Sequence, residues 1–219
     1  MSTSDPAGNR PTATTSVTAR GGRPRRGRRP AAEVRAEVLE TVARMLFHGG
    51  LTAVTFDKVA AASGASKTTL YKWWPSPGSL AAEAYFAGVW NELGFDDTGD
   101  IEADLASQLR AFVHLMTREP AGRVARELIG AAQTDPDLRA AFVREYSLPR
   151  RDEAITRLRR AQDRGQLAAD APLTALVDQL WGACYHRILL LNEEPDDRLV
   201  DDLVRTVFHG AGPRGTADA

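Results

Sequence analysis

An all-α fold is what this sequence predicts, on three observations. Apolar residues recur at the 3.6-residue spacing of helices along most of the chain; no segment of length shows the alternation or β-branched density of a strand; and glycine and proline divide the periodic stretches into ordinary helix lengths. At 219 residues, 43% apolar and 26% charged, the chain is long enough to bury a full core, in one large or two small domains. The predicted architecture is an N-terminal three-helix unit followed by a larger helical domain, with no internal repeat.

Residues 1–30 hold Gly, Pro, Ser, Thr and Arg with almost no large apolar side chain, so they cannot offset the entropy of being ordered and are expected to be disordered. From about Ala32 the pattern changes to Val34, Val38, Val42, Met45 and Leu46 on one helix face, ending at His48-Gly49-Gly50. A second helix is expected from about Phe56 to Ala62 with Thr55 as its cap, and a third from about Lys67 to Trp73. Pro75, Pro77 and Gly78 forbid its continuation, and a new helix is expected near Ser79.

The larger domain begins there. Leu80, Ala84, Phe86, Val89, Trp90 and Leu93 lead to Gly94 and an acidic loop; Leu105, Leu109, Phe112, Val113 and Met116 then form a clear helical stripe that Glu119-Pro120 ends. Helices follow from about 122 to 133 and from about 136 to 165, the latter with a break near Pro149. Two more close the chain, about 173–191 and 196–208. The domain plan is therefore a basic arm over 1–30, a helical head over 31–78, a larger helical domain over 79–210, and a short disordered tail over 211–219.

Within the head, Gly64 stands where the second helix must stop, since a residue without Cβ takes the left-handed conformation that reverses the chain. Ser66 then caps a small, polar, basic helix in which Lys67, Thr68, Thr69 and Lys72 face outward and Leu70 faces the core. All three lysines of the chain, Lys58, Lys67 and Lys72, lie in this stretch. Two short helices about a glycine turn, the second cationic, are the build of a DNA reader.

The net charge of −1 hides an asymmetry. Residues 1–30 carry seven Arg against Asp5 alone, a balance of +6 that leaves −7 on residues 31–219. A basic arm on an acidic body suits an electrostatic partner such as a phosphate backbone. The single cysteine, Cys184, excludes an intramolecular disulfide and a cysteine-built metal site. The apolar run ending at Leu191 is interrupted by His186 and Arg187 and falls far short of a membrane span. The arm lacks the apolar face of a transit peptide and the hydrophobic core of a signal, so a cytoplasmic protein is expected.

Residues 55–80 resemble the DNA-binding domain of the TetR family of bacterial transcriptional repressors. The matching positions are Val59-Ala60, the turn Ser63-Gly64-Ala65, the helix Ser66-Lys67-Thr68-Thr69-Leu70-Tyr71, the aromatic pair Trp73-Trp74, and Ser76-Pro77-Gly78-Ser79-Leu80. Two departures stand out. The family's usual lysine, a phosphate contact, is replaced by Pro77, and its usual valine in the turn by Ala65. The arm is expected to compensate for the first, since each phosphate contact displaces condensed counterions.

The resemblance implies double-stranded DNA as partner. Thr55, Ser66, Lys67, Thr68, Thr69, Tyr71, Lys72 and Trp73 are the expected DNA-binding residues, with Tyr71 on a phosphate and the threonines or lysines within reach of base edges. The bland alternative is a solvated helix face. Trp73 is equally readable as head packing, where Val59, Leu70, Trp74 and Leu80 belong. Arg23, Arg25, Arg26, Arg28 and Arg29 are expected to enter an adjacent minor groove, against a merely solubilising tail.

In the larger domain an effector pocket is expected among the middle helices. Its candidate lining residues are Phe86, Trp90, Phe112, His114, Met116, Tyr146, Trp181 and Tyr185, because such pockets are mostly apolar with a few polar groups. Each is also readable as plain core. His114 and His186 lie amid apolar residues and are readable as ligand-orienting groups or as core or interface histidines.

The last two helices carry Leu173, Leu176, Val177, Leu180, Cys184 and Ile188, then Leu199, Leu203, Val207 and Phe208; Trp181, Tyr185 and Leu189 add a second apolar face. A homodimer through these helices covers it and sets two reading heads one DNA turn apart. The expected function is thus a ligand-responsive repressor on a palindromic operator. The alternatives are an architectural DNA-binding module without effector, or a helical enzyme. The enzyme reading is weak: Cys184 and His186 are about 200° apart on a helix. No metal-binding spacing links His48, His114, His186 and His209, and no cofactor is expected.

Overall fold

The structure, a computed structural model, describes residues 29–211, so the expectations for the arm up to Arg28 and for the tail from residue 212 lie outside it. The described residues form ten α-helices joined by short turns, without strands. α1 (Ala31–Gly49) buries Val38, Val42 and Leu46, spaced four residues apart on one face. Gly50, at φ 69°, reverses the chain into a single 3-10 turn, Leu51–Ala53.

α2 (Phe56–Ser63) starts where Thr55 accepts a hydrogen bond from the Lys58 N–H and stops at Gly64, φ 71° and ψ 4°. A Cβ added at Gly64 would meet nothing within 4 Å, so the need for glycine there is conformational rather than steric. α3 (Lys67–Trp73) is capped by Ser66, whose Oγ accepts from the Thr69 N–H at 3.1 Å.

α4 (Pro77–Val89) begins two residues earlier than the sequence predicts. Ser76 and Ser79 cap one another's backbone N–H groups, and Pro77 occupies the first helical position, where its missing N–H has no intrahelical partner to lose. Proline here opens a helix as well as ending the one before it. Gly78 lies in the first turn against α7 (Pro136–Phe142): a Cβ there would stand 2.9 Å from Asp135 Oδ2 and 3.1 Å from Leu138 Cβ.

α5 (Ile101–Thr117) is capped by Asp100 and buries Leu105, Gln108, Leu109, Phe112 and Met116. α6 (Ala121–Ala132) and α7 follow. The break expected near Pro149 takes the form of a π-helical turn, Val143–Ser147, that runs into α8 (Leu148–Asp163). Proline cannot donate to the residue four before it, and a widened turn ahead of it keeps the helix continuous. α9 (Leu173–Tyr185) likewise widens into a π turn, His186–Leu191, and ends on Asn192 in the left-handed region. α10 (Asp197–His209), capped by Asp196, buries Val200 and Val204, whereas the residues expected to form its stripe, Leu199, Leu203, Val207 and Phe208, are only half-buried.

α4 joins the two halves of the molecule, packing on α1 on one side and on α7 on the other. α5 lies between α6 and α10, and α8 packs on α9. A single hydrophobic core runs from Val38 and Leu70 in the head through Leu80 and Tyr85 to Leu128, Leu158 and Leu180.

Candidate nucleic-acid interface and ligand cavity

α3 presents a polar face. Lys67, Thr68 and Lys72 are exposed, Ser66 is exposed at the cap, and Thr69 is half-buried because its hydroxyl shares a hydrogen bond with Ser66. Leu70 is fully buried beneath them, so the face that α3 offers is set by its one inward side chain. Tyr71 is 64% exposed, with its ring edge-on to Phe56 at 4.6 Å, which holds the phenol outward beside the lysines. Lys58, on α2, is exposed as well.

Lys67 forms an ion pair with Asp57, from the first turn of α2. That hydrogen bond is the main cause of its raised pKa, and both groups remain solvent-exposed. Thr55 is half-buried at its cap, engaged by Lys58 N–H. Of the aromatic pair, Trp74 is buried and Trp73 half-buried, their rings edge-to-face at 5.6 Å. Arg29 pairs with Glu37 at 2.5 Å along the first helix, while Arg23, Arg25, Arg26 and Arg28 lie outside the described residues.

A cavity of about 440 Å³ lies in the larger half, bounded by α5, α8, α9 and the 3-10 turn Trp90–Leu93 that follows α4. Phe112, Tyr146, Trp181 and Tyr185, four of the eight residues named from sequence, line it together with Phe95. Phe112 and Tyr185 meet edge-on at 4.9 Å, and Tyr146 stacks on Phe86 at 4.4 Å with its plane tilted 13°. Trp181 and Tyr185 therefore turn inward, within the chain, rather than forming an outer apolar face of α9. Leu190, 75% exposed, and Leu191 are what that segment leaves outside.

Four named residues do not line this cavity. Phe86 and Met116 stand one layer below, around a gap of about 10 Å³, room for no more than about one water. Trp90 is partly exposed and supports the cavity from behind: the Arg150 guanidinium lies 3.9 Å from its ring centroid and donates to its carbonyl. His114 is exposed, because two residues from Phe112 on a helix is about 200° and sends it to the opposite face. His186 is exposed too, so neither histidine lines the cavity.

The polar groups of the wall are residues that aromatic periodicity misses. Gln108, 6% exposed, donates through Nε2 to the Leu93 carbonyl at 3.0 Å, and its Oε1 is buried without a partner. Arg150 donates to the same carbonyl at 2.6 Å and pairs with Glu153 at 3.0 Å; Arg151 pairs with Asp178 at 2.5 Å. The Nε–H groups of both arginines are buried without an acceptor. A sequence signal existed: Gln108 falls on the apolar stripe of α5, three residues after Leu105 and four before Phe112.

Burial pushes the Cys184 thiol up to about 11, which keeps it protonated, and burial raises both Tyr146 and Tyr185. Among the described residues no helix is long and apolar enough to cross a membrane.

Contacts also run between the cavity half and the head. α6 reaches the turn after α1: Glu127 accepts from the Leu51 N–H at 2.6 Å, and Arg123 donates to the Phe47 carbonyl at 3.2 Å. Arg126, on the same helix, donates to the Met116 carbonyl at 2.6 Å, at the end of the helix that carries Gln108 and Phe112.

Comparison with known proteins agrees with this geometry. Residues 95–207 match the profile of the family described as "Tetracyclin repressor-like, C-terminal domain". The chain is 29% identical over 186 residues to the HTH-type transcriptional regulator YdeS of Bacillus subtilis (strain 168), covering 85% of this chain and 93% of that one. It is 30% identical over 179 residues to the DNA-binding transcriptional repressor TetR of Mycobacteroides abscessus, covering 78% and 93%. A crystal structure of the TetR family transcription regulator SCO0332 superposes with a TM-score of 0.75 at 54% identity, covering 83% of this chain and 100% of that one.

Proposed function

The chain belongs to the TetR family of transcriptional regulators, and from that premise we propose that it is a cytoplasmic, effector-responsive repressor that binds a palindromic operator as a homodimer. Residues 31–78 act as the reading head and residues 79–210 as the regulatory and dimerising part. The observation that carries this reading is the exposed face of α3, with Lys67, Thr68, Tyr71 and Lys72 turned outward over a buried Leu70. A helix of that kind enters a major groove, its threonines and lysines facing base edges and its flanking groups facing phosphates.

Dimerisation through α9 and α10 places two such helices roughly 34–36 Å apart, one turn of duplex. The exposed Leu190 and Leu191 at the end of α9 support that surface. A ligand in the 440 Å³ cavity acts on the heads along two routes, through α6 to the turn at Leu51 and through Arg150 to the end of α4. It must then bind the DNA complex more weakly by the same factor by which it weakens DNA binding.

Selection of bound oligonucleotides from a random duplex pool, with the full chain, tests the reading. The expected product is an inverted repeat whose half-sites are one helical turn apart, lost when Lys67→Glu and Lys72→Glu are combined. Recovery of unrelated sequences, or recovery unchanged in the double variant, would overturn it.

A further inference from the structure

The lining of the cavity sorts ligands by charge. Five aromatic residues, Phe95, Phe112, Tyr146, Trp181 and Tyr185, line it, and burial raises the pKa of Tyr146 and Tyr185, so their phenols stay neutral. The four charged lining residues cancel in pairs: Arg150 with Glu153 at 3.0 Å and Arg151 with Asp178 at 2.5 Å. The wall therefore presents no net charge.

Neither arginine is free to serve a ligand. Arg150 is engaged by Glu153, by the Leu93 and Trp90 carbonyls and by the Trp90 ring, and its side chain is 12% exposed. An anion entering here would give up its hydration without a free counter-charge in return. A cation would meet ring faces, but both carboxylates are already paired and two guanidiniums belong to the same wall. An uncharged apolar molecule meets neither cost, and it exchanges water for aromatic surface. At about 440 Å³ the cavity falls within the range that holds such a ligand.

We propose that the effector is an uncharged, predominantly apolar ring compound, and that Glu153 and Asp178 exclude anions by neutralising the two arginines of the wall. This deepens the effector reading above and rests on it. The two acids act on the charge that the cavity presents and need no contact with the ligand. Glu153 has the larger effect, because its pair is the less exposed: 12% and 33% for Arg150 and Glu153, against 37% and 60% for Arg151 and Asp178.

The test uses the full chain, calorimetric titration and two molecules that share one skeleton. N-phenyl-1-naphthylamine is uncharged; 8-anilinonaphthalene-1-sulfonate adds a single sulfonate, and only the part of its binding that saturating amine abolishes is counted. The amine is expected to bind at least about tenfold more tightly than the sulfonate. It should also bind at least about tenfold more tightly than N,N,N-trimethyl-1-naphthylammonium, measured in the same way. Glu153→Gln, which leaves the wall with one net positive charge, should raise sulfonate affinity about fivefold and leave the amine within about twofold. Asp178→Asn should act in the same direction by about twofold.

No binding of the amine, equal or tighter binding of the sulfonate or of the ammonium salt, or a sulfonate affinity unmoved in both variants would each overturn the inference. The comparison of the three molecules on the unaltered chain keeps the test decisive if a variant fails to fold. Operator binding by gel shift on the same preparation reports separately on the regulator reading. Its absence with ligand discrimination intact sinks that reading alone, and the converse sinks only the ligand class.

Discussion

The Trp74 indole N–H donates to Glu83 Oε2 at 2.8 Å, joining the residue that caps the end of α3 to the middle of α4. The same carboxylate takes both terminal nitrogens of Arg35 from α1, whose guanidinium lies 4.9 Å from the Trp74 ring centroid. One half-buried acid thus ties α1, α3 and α4 together, and α4 is the helix the head shares with the rest of the molecule.

Glu83→Ala should destabilise the protein by about 1–3 kcal/mol, because it strands a half-buried guanidinium and a buried indole N–H. For a chain of this size that lowers Tm by roughly 2–4 °C per kcal/mol. Thermal denaturation checks the loss, and operator affinity should fall with it, since α3 loses its anchor. An unchanged Tm would mean that the network contributes nothing.

Asp57 pairs with Lys67 and adds a negative charge beside the exposed face of α3 that the proposed function turns toward phosphates. Asp57→Asn should therefore tighten binding to non-specific duplex about fivefold at low salt, where an exposed charge is least screened. Lys72→Gln should weaken binding and reduce the slope of log affinity against log salt by about 0.9. Fluorescence anisotropy across a salt series reads both.

Asp97 sits among Arg157, Arg160 and Arg164, at 2.9, 3.1 and 2.7 Å. Its hydrogen bond from Arg164, the largest cause, with that from Arg160 and the charges of Arg164 and Arg157, lowers its pKa from 3.8 to about 2 against the opposing effect of desolvation. A carboxyl held low in the folded state adds stability that is fully present above its unfolded value and is lost as pH falls from about 4 toward 2. Asp97→Asn should reduce stability at neutral pH and flatten its decline across that window. Denaturant midpoints at pH 6, 4, 3 and 2 decide it; parallel curves for the two proteins would show that the cluster does not titrate with folding.

The head was largely legible in the sequence. Thr55 and Ser66 announce helix starts, Gly64 a stop and Leu70 the buried side of α3, because a cap or a turn is a matter of neighbours within four residues. Two local signals compete at Pro77 and at Pro149. Pro77 both closes off the helix before it and, with Ser76 and Ser79, opens α4, while the break at Pro149 is confined to a π turn that keeps the helix continuous.

The cavity was legible only in part. Phe112, Tyr146, Trp181 and Tyr185 follow from aromatic residues at helical spacing, but that rule cannot separate a cavity wall from the layer beneath it, where Phe86 and Met116 lie. His114 falls outside the cavity because its helix phase puts it about 200° from Phe112. Gln108 and Arg150 are not legible by that rule, because polar residues read as surface until a carbonyl from another segment is brought against them.

By itself the sequence determined the helical class, most element boundaries, the glycine turn and the outward face of α3, all products of interactions a few residues long. Only the tertiary structure decided which distant groups share a site: Glu83 with Arg35, Asp97 with three arginines, Gln108 with Leu93 and the rings of α8 and α9. Those pairings depend on how helices cross, and crossing is settled by the shapes of whole packed faces rather than by any local pattern.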